Sequence, residues 1–190
     1  ADVLLESFRP GVMARLGLDY ERLSKTNPRL VYCSLTGFGN HGAYRDRPGH
    51  DLNYIGLSGL LNLTGVRDGP PVIPGAQIAD IGGALWALVG IQQALLEREW
   101  NGVGQRVDTS LLGAALSFLQ VAKAQETGGA PMTPGASDLT GGWACYQVYA
   151  TKDGKYMTLA ALEPKFWENF CQADGREDLV GDQFAQSVKG

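Results

Sequence analysis

One of the two histidines of this 190-residue chain lies in the stretch Arg47-Pro48-Gly49-His50-Asp51-Leu52-Asn53-Tyr54. Imidazole has a pKa near neutrality, so it can accept and return a proton without large changes in its surroundings. Pro48-Gly49 is typical of a turn, and Asp51 is typical of an N-cap before the apolar helical pattern that follows. The sequence therefore predicts His50 as an acid–base residue just before a helix. A histidine that is hydrogen-bonded locally within a loop is the alternative.

Two acidic residues, Asp80 and Glu163, are predicted to lie at or near the starts of helices. Asp80 lies near the start of a nearly all apolar helical pattern from Ala76 to about Glu99, and it is the only charged residue of that pattern before Glu97. A carboxylate there must be paired, lie at the helix N-terminus or have a raised pKa. Glu163 precedes Pro164, a residue favoured in the first helical turn, and is predicted at or near the N-cap. Purely structural roles, as a helix cap for Asp80 and a dipole-compensating acid for Glu163, remain open.

The elements that would position these residues alternate between strands and helices. Strands are predicted near Val3–Leu5, Leu30–Leu35 and Gln105–Ser110, with helices between them and a helix from Leu111 to about Ala124. This order predicts an α/β fold with a parallel sheet, in which ligands bind at the carboxyl edge of the strands. The helical pattern from Ala76 to Glu99 is apolar on most of its surface and is therefore predicted to be buried.

The second half of the chain contains a change in composition. The stretch from Gly128 to Gly142 is rich in Gly, Pro, Ser and Thr and is typical of a linker or an active-site loop. A hairpin of Cys145–Ala150 and Tyr156–Ala161 is predicted after it, followed by the Glu163 helix. We therefore predict one domain over residues 1–127, a linker over 128–142 and the start of a smaller domain over 143–190.

Composition excludes several classes of protein. Hydrophobic residues at 44% and charged residues at 19% are ordinary for a globular chain, and the net charge of −4 argues against nucleic acid as a partner. The apolar run Ile78–Ile91 is shorter than a membrane span and contains Asp80, and no signal peptide is recognised, so a cytoplasmic protein is expected. The widely separated Cys33, Cys145 and Cys171 predict reduced thiols, with no disulfide framework and no metal site.

The first 50 residues support two further expectations, one from their net charge and one from how the chain begins. Residues 1–50 contain seven Lys or Arg against five acids, a net charge of +2, so an anionic ligand would find its counter-charges there. The chain starts at Ala1 without an initiator Met and enters a predicted strand at once. We therefore expect an internal piece of a longer protein.

The chain resembles the α-methylacyl-CoA racemase branch of the class III (CaiB/BaiF-type) CoA-transferase superfamily. The resemblance rests on motifs that are ordered along nearly the whole chain: Asp2 to Gly11, Asn27 to Leu30, Thr36 to Gly39, Gly49 to Tyr54, Ile78 to Asp80, Gly102 to Asp108, and Leu162 to Phe166. It implies part of a Rossmann-like large domain with a parallel sheet and long helices, linked to the start of a smaller α+β domain. It also implies a homodimer with interlocked subunits.

The resemblance further implies an acyl-CoA thioester as substrate, with CoA as part of that substrate and no separate cofactor. His50 and Asp80 match the two proton-transfer residues of the racemases, and Glu163 matches the glutamate that hydrogen-bonds the histidine. Residues within or beside the matched motifs are assigned to binding of the substrate or its CoA: Arg9, Arg15, Gly49, Asp51, Tyr54 and Gln77. Gln77 departs from the pattern, since racemases often have Asn there. Ordinary surface roles are the alternative for Arg9 and Arg15.

Two other functions remain open on the sequence. In the transferases of the superfamily the residue that matches Asp80 is a nucleophile, which forms acyl-enzyme anhydrides while CoA moves between carboxylic acids. The resemblance also implies family segments before and after this stretch, namely an N-terminal βα unit and a C-terminal return to the large domain. A CoA-binding or dimerising fragment without turnover is therefore the third possibility.

Overall fold

The computed structural model of the chain describes residues 1–129 and 133–186. By their internal contacts these residues form two compact units. The first unit contains Ala1–Leu61 and Ile73–Val121, and the second contains Asn62–Val72 and the chain from Ala122 onward. The predicted domain ranges 1–127, 128–142 and 143–190 stay a prediction, and residues 130–132 and 187–190 of those ranges lie outside the described residues.

A parallel three-stranded sheet lies at the centre of the first unit. The strands are β1 (Val3–Glu6), β2 (Val31–Thr36) and β3 (Arg106–Ser110), in the order β1-β2-β3. The central strand β2 is almost fully buried, as its apolar and β-branched sequence requires, while β1 and β3 are more exposed. The predicted α/β class with a parallel sheet is confirmed.

Five helices of the first unit connect and cover these strands. They are α1 (Val12–Arg15), α2 (Tyr20–Thr26), α3 (Asp51–Ser58), α4 (Ile78–Asn101) and α5 (Leu111–Ser117), and a 3₁₀ turn at Leu60–Leu63 crosses into the second unit. Helix α4 approaches its neighbours closely at three glycines, Gly82, Gly83 and Gly90. A Cβ on Gly83 would lie 2.4 Å from the Leu111 side chain, and one on Gly90 would lie 2.6 Å from Val107. These close approaches place α4 against the start of α5 and against β3.

The prediction that the long helix is buried is wrong for the described residues. Only small residues and Arg98 of α4 are buried, while large apolar side chains remain exposed: Ile81, Leu85, Trp86, Leu88, Val89, Leu96 and Trp100. The reason is that β2, β3, α3 and α5 cover one side of the helix. The apolar run Ile78–Ile91 belongs to a helix of 24 residues, close to the length predicted for the helical pattern, and an 18-residue window of this helix has a mean hydropathy of 1.3. By length and composition alone it is a candidate membrane span, as some core helices of globular proteins are.

The helix predicted from Leu111 to Ala124 is divided in two. Helix α5 ends at Ser117, and α6 (Gln120–Thr127) starts after Phe118 and Leu119. The Ser117 hydroxyl donates to the Ala114 carbonyl at 2.7 Å and accepts from the Trp86 indole N–H at 2.8 Å. Such side-chain bonds to the preceding turn compete with helix continuation, which accounts for the break.

The second unit contains the predicted hairpin and the helix that follows it. Strands β4 (Tyr146–Ala150) and β5 (Tyr156–Ala160) are antiparallel, and α7 (Pro164–Ala173) is followed by a 3₁₀ helix at Glu177–Asp182. Its core consists of Cys145, Ala161, Trp167 and Cys171. The Trp167 indole donates to the Leu179 and Val180 carbonyls at 3.0 and 3.1 Å, which attaches the 3₁₀ helix to α7. All three cysteines of the chain are free, as predicted, and all three are buried.

Candidate active site

A cavity of about 670 Å³ opens at the carboxyl end of the parallel sheet in the first unit. Its floor contains residues that follow β1 and end β2, namely Ser7, Phe8, Thr36 and Gly37. Its other walls contain Arg47 to His50, Asn53, Tyr54, Asp80 and Leu111, with Arg9, Pro10, Leu35 and Arg45. The edge of the sheet that the sequence selected for ligand binding therefore carries both predicted proton-transfer residues, His50 and Asp80.

His50 is held at the start of α3 by its backbone. It is the N-cap residue in extended conformation, and its N–H donates to the Asn53 side-chain oxygen at 3.0 Å. Its carbonyl accepts from the N–H groups of Asn53 and Tyr54 at 2.8 and 3.3 Å. These bonds fix the backbone of His50 and leave its side chain exposed at the cavity. The predicted loop-to-helix position is confirmed, with His50 rather than Asp51 as the N-cap.

Asp51 makes contacts that the sequence did not predict. Its Oδ1 accepts hydrogen bonds from the N–H of Ala79 at 2.6 Å and from the N–H of Asp80 at 3.1 Å. These donors belong to the first turn of α4, so Asp51 caps that helix and not its own. The prediction that Asp51 caps α3 is therefore wrong, since Asp51 caps α4. An aspartate in the first turn of a helix can direct its carboxylate away from that helix.

Asp80 lies in the first turn of α4, and its carboxylate is exposed to the cavity. Partial desolvation raises its pKa above the ordinary value, the negative charge of Asp51 raises it further, and His50 acts in the opposite direction. His50 acts on the pKa of Asp80 through its charge, so the two predicted proton-transfer residues interact electrostatically. The pKa of Asp80 is therefore shifted in the direction that its predicted role as a proton donor requires.

Tyr54 is buried between the backbones of two glycines. A Cβ on Gly37 would lie 2.3 Å from the Tyr54 hydroxyl oxygen, and a Cβ on Gly49 would lie 2.8 Å from its ring. The ring also meets Phe38 edge to face, with centroids 5.1 Å apart. Burial raises the pKa of Tyr54, and the nearby Asp80 carboxylate adds to the effect. The absence of a Cβ at Gly37 and Gly49 thus leaves room for the Tyr54 ring, which forms part of the cavity wall.

Two arginines of the cavity, Arg45 and Arg47, are not among the site residues predicted from the sequence. Arg45 and Arg47 line it together with Arg9, and the Arg47 guanidinium lies 4.4 Å from the centroid of the Tyr44 ring. The excess of basic residues in the first quarter of the chain, just before the His50 motif, was a signal that pointed to them. Arg15 is exposed on α1 and is not among the residues that line this cavity, so its role in binding stays a prediction.

Gln77 and Glu163 are the remaining predicted site residues. Gln77 is the N-cap of α4, where its carbonyl accepts from the Ile81 N–H at 3.0 Å and its side chain makes no capping bond among the described residues. Glu163 is the N-cap of α7, as predicted, and belongs to the second unit. Its hydrogen bond to His50 and the contact of Gln77 with substrate stay predictions.

Comparison with known proteins places the chain in one family. The model of CoA-transferase family III matches residues 1–190. The chain is 41% identical over 179 residues to the alpha-methylacyl-CoA racemase of Mus musculus, covering 93% of this chain and 47% of that protein. It is 37% identical over 185 residues to the acetyl-CoA:oxalate CoA-transferase of Acetobacter aceti, covering 96% and 47%.

A solved structure extends this similarity to the fold. The crystal structure of a CaiB/BaiF family protein from Brucella suis matches with a TM-score of 0.78 and 35% identity, over 98% of this chain and 49% of that one. The chain thus spans about half the length of the relatives that it matches. Over nearly all of its length, the sequence and the fold of the chain match members of one protein family. The chain belongs to CoA-transferase family III.

Proposed function

We propose that this chain carries the proton-transfer site of a racemase that inverts the α-carbon of 2-methylacyl-CoA thioesters. The observation that carries the proposal is that His50 and Asp80, 30 positions apart in sequence, line one cavity and interact electrostatically. The 41% identity to an alpha-methylacyl-CoA racemase supports it.

Inversion of a carbon next to a thioester removes a weakly acidic proton from one face and delivers one to the other. Two groups on opposite sides of the carbon meet that requirement. In one direction the neutral His50 imidazole accepts the α-proton while the Asp80 carboxyl group donates. In the reverse direction the Asp80 carboxylate accepts and the His50 imidazolium donates. Glu163 would orient the imidazole, and the reaction needs no separate cofactor, because a proton is all that moves.

The intermediate carries negative charge on the thioester oxygen, which a backbone N–H group can stabilise by about 3 to 4 kcal/mol. The first turn of α4 is the obvious source of such donors, but Asp51 already binds the N–H groups of Ala79 and Asp80. The N–H groups of Asp51 and Leu52 form no hydrogen bond within the described residues. We therefore assign the thioester oxygen to the first turn of α3, next to His50.

The cavity arginines are assigned to the phosphates of CoA, since guanidinium groups bind phosphate with paired hydrogen bonds. Arg47→Ala is expected to weaken binding of CoA about 10- to 100-fold, because hydrogen bonds to charged groups contribute about 1.5 to 3 kcal/mol each. Isothermal titration calorimetry of CoA with the full-length protein measures the loss. Lys25→Ala is the matched control, since Lys25 is an exposed cation on α2 outside the cavity. Equal affinity of both variants would remove Arg47 from the binding site.

Transfer of CoA between carboxylic acids, with Asp80 as nucleophile, is the second candidate. The 37% identity to an acetyl-CoA:oxalate CoA-transferase favours it, and the exposed Asp80 carboxylate is accessible to an acyl group. The full-length protein incubated with an acyl-CoA in deuterated water distinguishes the two reactions. Deuterium at the α-carbon without any acceptor acid supports the racemase. Turnover that requires an acceptor acid, with an enzyme adduct that hydroxylamine traps, supports the transferase.

A fragment that binds CoA without turnover is the third candidate. Calorimetry on the 190-residue chain beside the deuterium assay decides it, since binding of CoA without exchange of the α-proton identifies this case.

A homodimer is part of the racemase proposal. The exposed apolar side chains of α4 support it, because contiguous exposed apolar surface commonly marks an interface. We also propose a cytoplasmic location, which follows from the sequence alone.

A further inference from the structure

One carboxylate oxygen joins the starts of two helices that are far apart in sequence. Asp51 is the first residue of α3, and its Oδ1 accepts from the N–H groups of Ala79 and Asp80 in the first turn of α4. The N-cap residue of α4, Gln77, makes no side-chain cap bond among the described residues, so Asp51 supplies this cap from another helix. The first turns of α3 and α4 are thereby held to each other.

The two ends of this link are the neighbours of the two reacting groups. His50 immediately precedes Asp51, and Asp80 is one of the two residues whose N–H the carboxylate holds. Any shift of α4 along α3 would have to break these bonds, and it would change the separation of the imidazole and the Asp80 carboxylate. The Asp51 carboxylate is bound to the backbone of α4, so only the N–H group of Asp51, and not its side chain, is assigned to the substrate.

We propose that Asp51 is a positioning residue, whose carboxylate fixes Asp80 opposite His50 by binding the first turn of α4, and that this carboxylate does not bind CoA. This inference rests on the proposed racemase function for its catalytic consequence. Its structural part, the bond between Asp51 and the start of α4, stands independently of that function. Bound geometry errors of about 1 Å can cost a reaction about 100-fold in rate, so a link of this kind has a measurable effect.

The charge of Asp51 adds a second, separable effect. The titratable groups that interact electrostatically with Asp80 are His50, Asp51 and Tyr54, and the walls of the same cavity also contain Arg9, Arg45 and Arg47. Among these, Asp51 raises the pKa of the Asp80 carboxyl group. Removal of its charge therefore lowers that pKa. The active form carries one proton between Asp80 and His50, so the acidic limb of kcat/KM follows the pKa of Asp80 and moves to lower pH.

Asp51→Asn and Asp51→Ala in the full-length protein separate the two effects. Asn keeps an Oδ1 that can accept from both N–H groups but carries no charge. We expect Asp51→Asn to retain kcat within about tenfold, with the acidic limb of kcat/KM displaced to lower pH. Asp51→Ala loses the acceptor, and we expect kcat to fall about 100-fold while KM changes much less. A rise of KM with unchanged kcat in Asp51→Ala would overturn the proposal, because it would place Asp51 in the binding of substrate.

Amide hydrogen exchange supplies a test that needs no turnover. The Ala79 and Asp80 amides are expected to exchange at least about tenfold faster in Asp51→Ala than in wild type, and at near wild-type rates in Asp51→Asn. Unchanged protection in Asp51→Ala would overturn the link itself. A wild-type protein that shows protected amides but no α-proton exchange would contradict the racemase function and leave the link intact. The failure of one proposal is therefore distinguishable from the failure of the other.

Discussion

Replacement of either His50 or Asp80 by alanine is expected to abolish exchange of the α-proton from at least one enantiomer of a 2-methylacyl-CoA. Each side chain accepts the proton on its own side of the α-carbon, so its loss removes one of the two paths. General acid–base groups commonly contribute about 10²- to 10⁴-fold to a rate, and racemisation needs both. We therefore expect racemisation to fall by at least about 100-fold in each variant. Proton NMR of each enantiomer in deuterated water measures the loss.

The fold should survive both substitutions, because His50 and Asp80 are exposed and their backbone bonds do not require the side chains. Circular dichroism and thermal unfolding check this. Asp153→Asn is the matched control for a lost carboxylate, since Asp153 is an exposed residue of the hairpin turn in the second unit. Near-normal exchange of both enantiomers by both variants would refute the two-base assignment. Loss of transfer to an acceptor acid in Asp80→Ala alone would instead favour the nucleophilic role of Asp80.

Gly37→Ala is expected to destabilise the first unit by about 1 to 3 kcal/mol, the usual cost of excess volume in a packed site. The new Cβ would lie 2.3 Å from the hydroxyl oxygen and 2.8 Å from the Cζ atom of Tyr54. The ring cannot give way easily, because Gly49 closes its other side and Phe38 packs against it. Chemical denaturation, read by fluorescence, measures the change in the free energy of unfolding. Activity should fall as well, since Tyr54 lines the cavity.

Gly56→Ala, in α3 itself, is the matched control for Gly37→Ala. A Cβ at Gly56 meets no atom within 4 Å, so this change should stabilise the helix by about 0.5 to 1 kcal/mol. Addition of Tyr54→Phe to Gly37→Ala should recover part of the lost stability, because the atom at 2.3 Å is the hydroxyl oxygen. A Gly37→Ala protein as stable as wild type would show that the ring is free to move.

Family membership and fold class were accessible from the sequence, because their signals are local. The apolar run at Val31 to Leu35 and the Glu163-Pro164 start of α7 depend on neighbours within a few residues. The motif that contains His50 likewise predicted a loop before a helix, and the structure confirms that position. The order of the strands and helices along the chain then indicated a parallel sheet.

The partner of Asp51, the burial of α4 and the break after Ser117 were not accessible in this way. The sequence offered Asp51 as a cap for its own helix, and only packing of α3 against α4 brings it to Ala79 and Asp80. The apolar pattern of α4 predicted burial, but burial depends on which other segments cover the helix. Whether a serine hydroxyl interrupts a helix depends on its rotamer. For Ser117 that rotamer is fixed by a tertiary hydrogen bond from Trp86, which the local sequence does not reveal.

By itself, the amino-acid sequence determined that His50 and Asp80 begin two different helices and have the chemistry to move a proton. That the two face one cavity, beside arginines that no motif singled out, was decided by tertiary structure alone. The physical reason is that caps, turns and periodicity act over a few residues. The separation of side chains 30 positions apart depends on how two helices pack, and in this protein the carboxylate of Asp51 holds the first turns of those helices together.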